Sequence, residues 1–94
     1  MKEKELIKKM TKEQVEEKVI NIIVNDLLDD KEKKKNIDRN SKFFEDIEID
    51  SVVIVNLVIL IEEKFNISIN DITEFVDCLK QVSNLVDFIY QKIV

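Results

Sequence analysis

Apolar residues along the chain fall into separate runs divided by charged or polar stretches. In the first run Val15, Val19, Ile22, Ile23 and Leu27 recur at helical spacing, with Glu16, Glu17 and Lys18 on the other face. Thr11 and Gln14 ahead of it match the Thr-x-x-Gln capping box, in which each side chain satisfies the other's backbone N–H. These signals predict a helix over about 12–28. The next run is different. From Val52 to Ile61 it is almost unbroken, and it continues through Glu62-Glu63-Lys64 to Phe65. Its β-branched residues favour a buried strand. Its length favours a helix, because strands usually run about five or six residues, and helix is the reading adopted. Asp50-Ser51 stands at its start as a helix-cap signal, since a side-chain oxygen there can accept from an orphan N–H of the first turn.

A helix that is apolar on every side must be buried or must meet something else. Val55, Val58 or Ile59, Leu57, Ile61 and Phe65 cannot all share one face with Val52, Val53 and Leu60. Further on, Ile72, Phe75, Val76 and Leu79 predict a short helix. Leu85, Val86, Ile89 and Ile93 predict a last one, opening at Val82-Ser83-Asn84-Leu85 with Ser83 or Asn84 as cap, Asp87 near its first turn and Lys92 near its end. Asp29 to Lys42 lacks an apolar period and reads as a charged linker whose Ile37 folds back onto the core, and Asn66 to Asp71 is a short connection with Ile67 and Ile69 inward. The expected fold is all-α: a small four-helix bundle of three longer helices and a short third one, with a long first loop. Residues 1–94 read as one domain, 1–10 being a charged lead-in that extends the first helix or frays.

Composition sharpens this picture. The 94 residues include no Gly and no Pro, so turns fall to Asn, Asp, Ser and Lys, and tight hairpins are disfavoured. There is no His, which removes any Ser–His–acid triad and any His-containing metal site, and one Cys cannot build a thiolate cage. That residue, Cys78, reads as a partly buried small hydrophobe without a redox role. No substrate-pocket pattern surrounds the carboxylates, so a non-catalytic role is expected. A charged N-terminus without an apolar h-region, a Val52–Ile61 run too short to span a bilayer, and a cysteine without a partner predict a cytoplasmic protein that is not membrane-bound. The net charge is −5. It is concentrated after residue 42, where three lysines stand against ten acids. This favours basic protein partners and argues against nucleic acid. The Lys33-Lys34-Lys35 run reads as a solvated loop.

Taken alone, Asp50-Ser51 is a common helix cap. Its surroundings carry more. Phe44-x-Asp46-Ile47 precedes it, and a hydrophobe, Val55-x-Leu57 and Glu62-Glu63-x-Phe65 follow. This framework resembles the acyl and peptidyl carrier protein family. The resemblance covers about residues 12–93 and is strongest over 44–65. It implies that Ser51 carries a covalent 4′-phosphopantetheine arm, derived from coenzyme A, whose thiol holds acyl or aminoacyl groups as thioesters. Asp50 would flank and orient the site. The free N–H groups and dipole of a helix start suit such a phosphate.

The resemblance further implies particular partners: a phosphopantetheinyl transferase, acyl- or aminoacyl-loading enzymes, and downstream synthase enzymes. It places Phe44 as the aromatic core anchor and Val55, Leu57, Ile61 and Phe65 in the core. Val52 and Ile59 fall where partners touch, and Val53 and Asn56 where fatty-acid carriers usually have acids. An apolar second helix of this kind favours a specialised pathway, polyketide or nonribosomal peptide assembly, over fatty acid synthesis. A start at Met1 is expected of a free-standing carrier, and a monomer is expected. The family commonly has Gly where Glu48 stands, so the loop is expected to take a different path here. The alternative is a non-catalytic helical interaction module, in which Val52 to Ile61 lies in a partner's groove and Ser51 is dispensable.

Overall fold

The computed structural model describes residues 9–27 and 37–93. The lead-in up to Lys8 and the Lys33-Lys34-Lys35 run lie outside the described residues. Among the described residues four α-helices follow in order: α1 (Lys12–Ile22), α2 (Ser51–Phe65), α3 (Ile72–Asp77) and α4 (Val82–Ile93). They bear out the all-α reading. The extended pairing among the described residues is one isolated antiparallel bridge between Lys42 and Gln81.

The capping box of α1 is formed as the sequence predicts. Thr11 N donates to Gln14 Oε1 at 2.9 Å, and Gln14 N donates to Thr11 Oγ1 at 3.2 Å. The helix stops sooner than expected, however. After Ile22 the chain winds into a π-helical turn, Ile23–Leu27. α1 lies against α4 and buries Val15, Val19 and Ile22, with Ile23 of the π turn beside them. Outside this contact Lys12 pairs with Asp87, and Arg39 Nε reaches Glu16 Oε1 at 3.6 Å.

α4 is the most regular apolar stripe, burying Val82, Leu85, Val86, Phe88, Ile89 and Ile93. Its start corrects the expected cap. The helix begins at Val82, directly after Gln81, whose N–H donates to Asn84 Oδ1 at 3.2 Å. The next two N–H groups are taken by the first loop, Val82 N by Ser41 O and Ser83 N by Arg39 O, each at 2.9 Å. Phe43 N returns a bond to Lys80 O at 3.1 Å. The first loop thus satisfies helix-end donors that a cap side chain would otherwise serve, and it is clipped to the start of α4. Ile37 packs against the core, as expected.

α3 is capped by Asp71, whose Oδ1 accepts from Thr73 N at 3.0 Å and Glu74 N at 3.2 Å. It anchors through Phe75, which meets Phe88 edge-on with ring centroids 5.9 Å apart. Ile72 at its start is exposed. α2 ends on Asn66, in the left-handed conformation at φ 52°. Without Gly in the chain, Asn takes the αL position that commonly closes a helix. Glu62 Oε2 then accepts from Ile69 N at 2.9 Å, holding the connection that buries Ile69.

Candidate functional site

The site is built by the loop that enters α2. Three side chains pin it into the core: Phe43, Ile47 and Ile49 are all buried. Ile49 N donates to Phe43 O at 3.1 Å, closing the loop on itself. Asp46 tightens the preceding turn, its Oδ2 accepting from Lys42 N at 2.8 Å. This register corrects the expected anchor. Phe43 has no exposed surface, whereas Phe44 is 49% exposed. In the Phe-Phe doublet the first ring faces inward, on the side of the turn that also buries Ile47.

Glu48 sits at φ 59°, in the left-handed region. The chain therefore keeps the conformation that Gly would take freely, instead of following another path, and a residue with a Cβ sustains it at a cost of roughly 1–2 kcal/mol. That conformation turns the backbone so that Ile49 goes in while Asp50 and Ser51 come out; both of the latter are exposed.

Asp50 is the N-cap of α2. Its Oδ1 accepts from Val53 N at 2.9 Å, and its carbonyl accepts from Ile54 N at 2.9 Å. Ser51 is the first residue of the helix. The opening N–H groups of a helix have no intrahelical acceptor; Asp50 serves that of Val53 and leaves those of Ser51 and Val52 to an external one. An exposed hydroxyl at the positive end of a helix is a fitting place for a bound phosphate. No group of three or more metal-ligating side chains occurs among the described residues. None of their helices is long and apolar enough to cross a membrane.

Along α2 the buried residues are Leu57, Val58, Ile61 and Phe65, with Lys18 of α1 placing its Nζ 5.1 Å from the Phe65 ring centroid. Val55 departs from its expected core position: it is 58% exposed. Val52 (70%) and Ile59 (48%) are exposed with it, and all three fall on one side of the helix at spacings of three and four. Asn56 is exposed between them, and Val53 is half-buried against the core. The residues singled out for partner contact thus gather on or beside one surface that starts at Ser51. Sequence reasoning missed Val55 as a member of it, though its spacing from Val52 and Ile59 was the available signal. Cys78 is partly buried, as expected; burial first, then the carboxylates of Glu74 and Asp77, push its thiol above the usual range.

Comparison with known proteins agrees with this geometry. Residues 17–89 match the phosphopantetheine attachment site family. An acyl carrier protein of Guillardia theta is 43% identical over 63 residues, which span 64% of this chain and 72% of that relative. The matched family implies a covalently bound 4′-phosphopantetheine group. With most of its length matched and its all-α fold in place, the chain belongs to the acyl carrier protein family.

Proposed function

We propose that Ser51 is the attachment point of the 4′-phosphopantetheine arm, and that the arm holds acyl groups as thioesters for transfer between enzymes. One observation carries the assignment. Ser51 is exposed on the first turn of α2, at the helix's positive end, with Asp50 already serving as cap. A separate transferase supplies the chemistry of attachment. The Ser51 Oγ bonds to the phosphorus that bears pantetheine in coenzyme A, and the bridging P–O bond to the nucleotide's phosphate breaks. The nucleotide leaves with that phosphate, and the hydroxyl proton passes to a base of the transferase.

Once attached, the arm supplies a thiol that keeps an acyl group activated, and the protein supplies position and recognition. Asp50 fixes the first turn through Val53 N, so the point of attachment is held on a rigid element. The surface of Val52, Val55, Asn56 and Ile59, with Val53 at its edge, is the contact for loading and downstream enzymes. The acyl carrier name of the Guillardia theta relative supports acyl over aminoacyl cargo. The charge-free run from Ser51 to Ile61 supports a specialised synthase, such as a polyketide assembly system, over fatty acid synthesis, because it offers partners apolar contacts in place of carboxylates.

Intact-protein mass spectrometry tests the assignment, after incubation with coenzyme A and a transferase of broad specificity. The wild type is expected to gain one arm, and a folded Ser51→Ala variant none. A gain on Ser51→Ala would place the attachment elsewhere. No gain on folded wild type, with a transferase from the same organism also tried, would reject the carrier role.

A further inference from the structure

The surface beside Ser51 does not end at α2. The π turn that closes the first helical segment, Ile23–Leu27, comes against α2 and leaves a cleft of about 250 Å³ lined by Asp26, Leu27, Val53, Asn56, Ile59 and Leu60. Its four apolar residues come from both elements, and Asn56 and Asp26 are exposed. Two features narrow what can fill it. The volume is below the roughly 300–1,000 Å³ of small-molecule pockets, which fits a single inserted side chain. Asp26 is the one charged residue of the lining, on a stretch of surface where α2 itself has no charge from Ser51 to Ile61.

Position narrows it further. Val53 and Leu60 lie two and nine residues beyond Ser51, roughly 3 and 14 Å along the helix axis. An enzyme that closes over Ser51 with an ordinary interface covers about 800 Å², a disc of roughly 16 Å radius. The cleft falls within that distance of the attachment point, next to the exposed Ile59. π turns recur at functional sites because they displace the residues that follow from a regular helical path; here they set Asp26 and Leu27 opposite α2.

We propose that this cleft is a specificity subsite for the phosphopantetheinyl transferase: an apolar side chain of the enzyme inserts between Leu27 and Leu60, and a neighbouring Lys or Arg meets the Asp26 carboxylate. The proposal rests on the carrier reading and adds to it a contact outside α2. A short anchor in an apolar pocket with one charge at its rim supplies register, while the charge adds to encounter rate and responds to salt.

The test is the rate of arm attachment on the full chain, followed by mass spectrometry with one transferase and coenzyme A. Asn56→Trp would fill the cleft from its exposed rim. Asp26→Lys would reverse the one charge without touching an apolar wall. Asn56→Trp is expected to lower kcat/KM about tenfold or more with an unchanged Tm, and Ser51 is expected to load fully at long times. Asp26→Lys is expected to lower kcat/KM about threefold at 50 mM NaCl and by less at 500 mM. A folded Asn56→Trp modified at the wild-type rate would overturn the subsite. So would an Asp26→Lys rate equal to wild type at low salt, which decides the matter even if the tryptophan variant is unstable. A wild type that gains no arm would instead remove the carrier reading and the subsite with it.

Discussion

α4 and α2 are built from similar residues and use them in opposite ways. α4 has 12 residues and buries six of them. α2 has 15 and buries four, all from Leu57 onward. In α4 polar residues alternate with apolar ones at helical spacing, so nearly every large hydrophobe reaches the core. In the first half of α2 the hydrophobes outnumber the places the core offers, and Val52 and Val55 are left in solvent. Apolar surface that adds nothing to the core, placed directly after an exposed serine at a helix start, is what the proposed partner contact calls for.

This difference predicts opposite responses to truncation. Ile89 is fully buried at the centre of α4. Ile89→Ala is expected to cost about 2–5 kcal/mol, from lost transfer energy and the cavity left behind. In a domain of this size that lowers Tm by roughly 4–8 °C per kcal/mol. Thermal or urea unfolding of the two proteins measures it, and a loss below about 1 kcal/mol would mean that α4 is not the packed half of the comparison.

The loop that enters α2 gives a smaller effect of opposite sign. Glu48 is held at φ 59° immediately before the Ile49-Asp50-Ser51 segment. Glu48→Gly relieves the αL penalty of about 1–2 kcal/mol, but it frees the unfolded chain by roughly 0.4–1 kcal/mol and removes the carboxylate. A net gain of about 0.5 kcal/mol is expected in urea unfolding, with arm attachment intact. A loss of stability would show that removing the carboxylate costs more than the backbone strain it relieves.

What could be read in the sequence followed the same divide. The capping box of α1, the periodic faces of α1, α3 and α4, and the Asp50 cap are local: each depends on a helical stripe or on a side chain reaching its own neighbouring backbone, and each formed as the pattern predicts. The errors lay where the pattern carried no contrast. In Phe43-Phe44 both positions hold the same residue, so only the burial of Ile47 and Ile49 reveals that the first ring goes in. In α2 no polar face marks the outside, so Val55 passed for core. The cap of α4 was misread because its first donors, Val82 N and Ser83 N, are met by Ser41 and Arg39, some forty residues earlier in the chain. The π turn after Ile22, which lies against α2, has no mark in its own residues.

Val55 gives the finest cut between the two helices. It is 58% exposed and has no described polar partner to lose. Glu is a slightly better helix former than Val, by a few tenths of a kcal/mol, and an exposed substitution of this kind usually stays within about 0.5 kcal/mol. Val55→Glu is therefore expected to leave unfolding unchanged or marginally improved, where the same charge at a buried position of α4 would unfold the protein. Its cost should appear elsewhere. A carboxylate in the middle of the Val52–Val55–Ile59 stripe must be desolvated when a partner covers it, so acyl loading by enzymes that read this surface should slow by about tenfold. Parallel measurements of Tm and loading rate on one preparation separate the two effects. If Val55→Glu lowers Tm like Ile89→Ala, the stripe belongs to the core; if it changes neither quantity, the exposed valines serve no partner, and the contrast between α2 and α4 is one of composition alone.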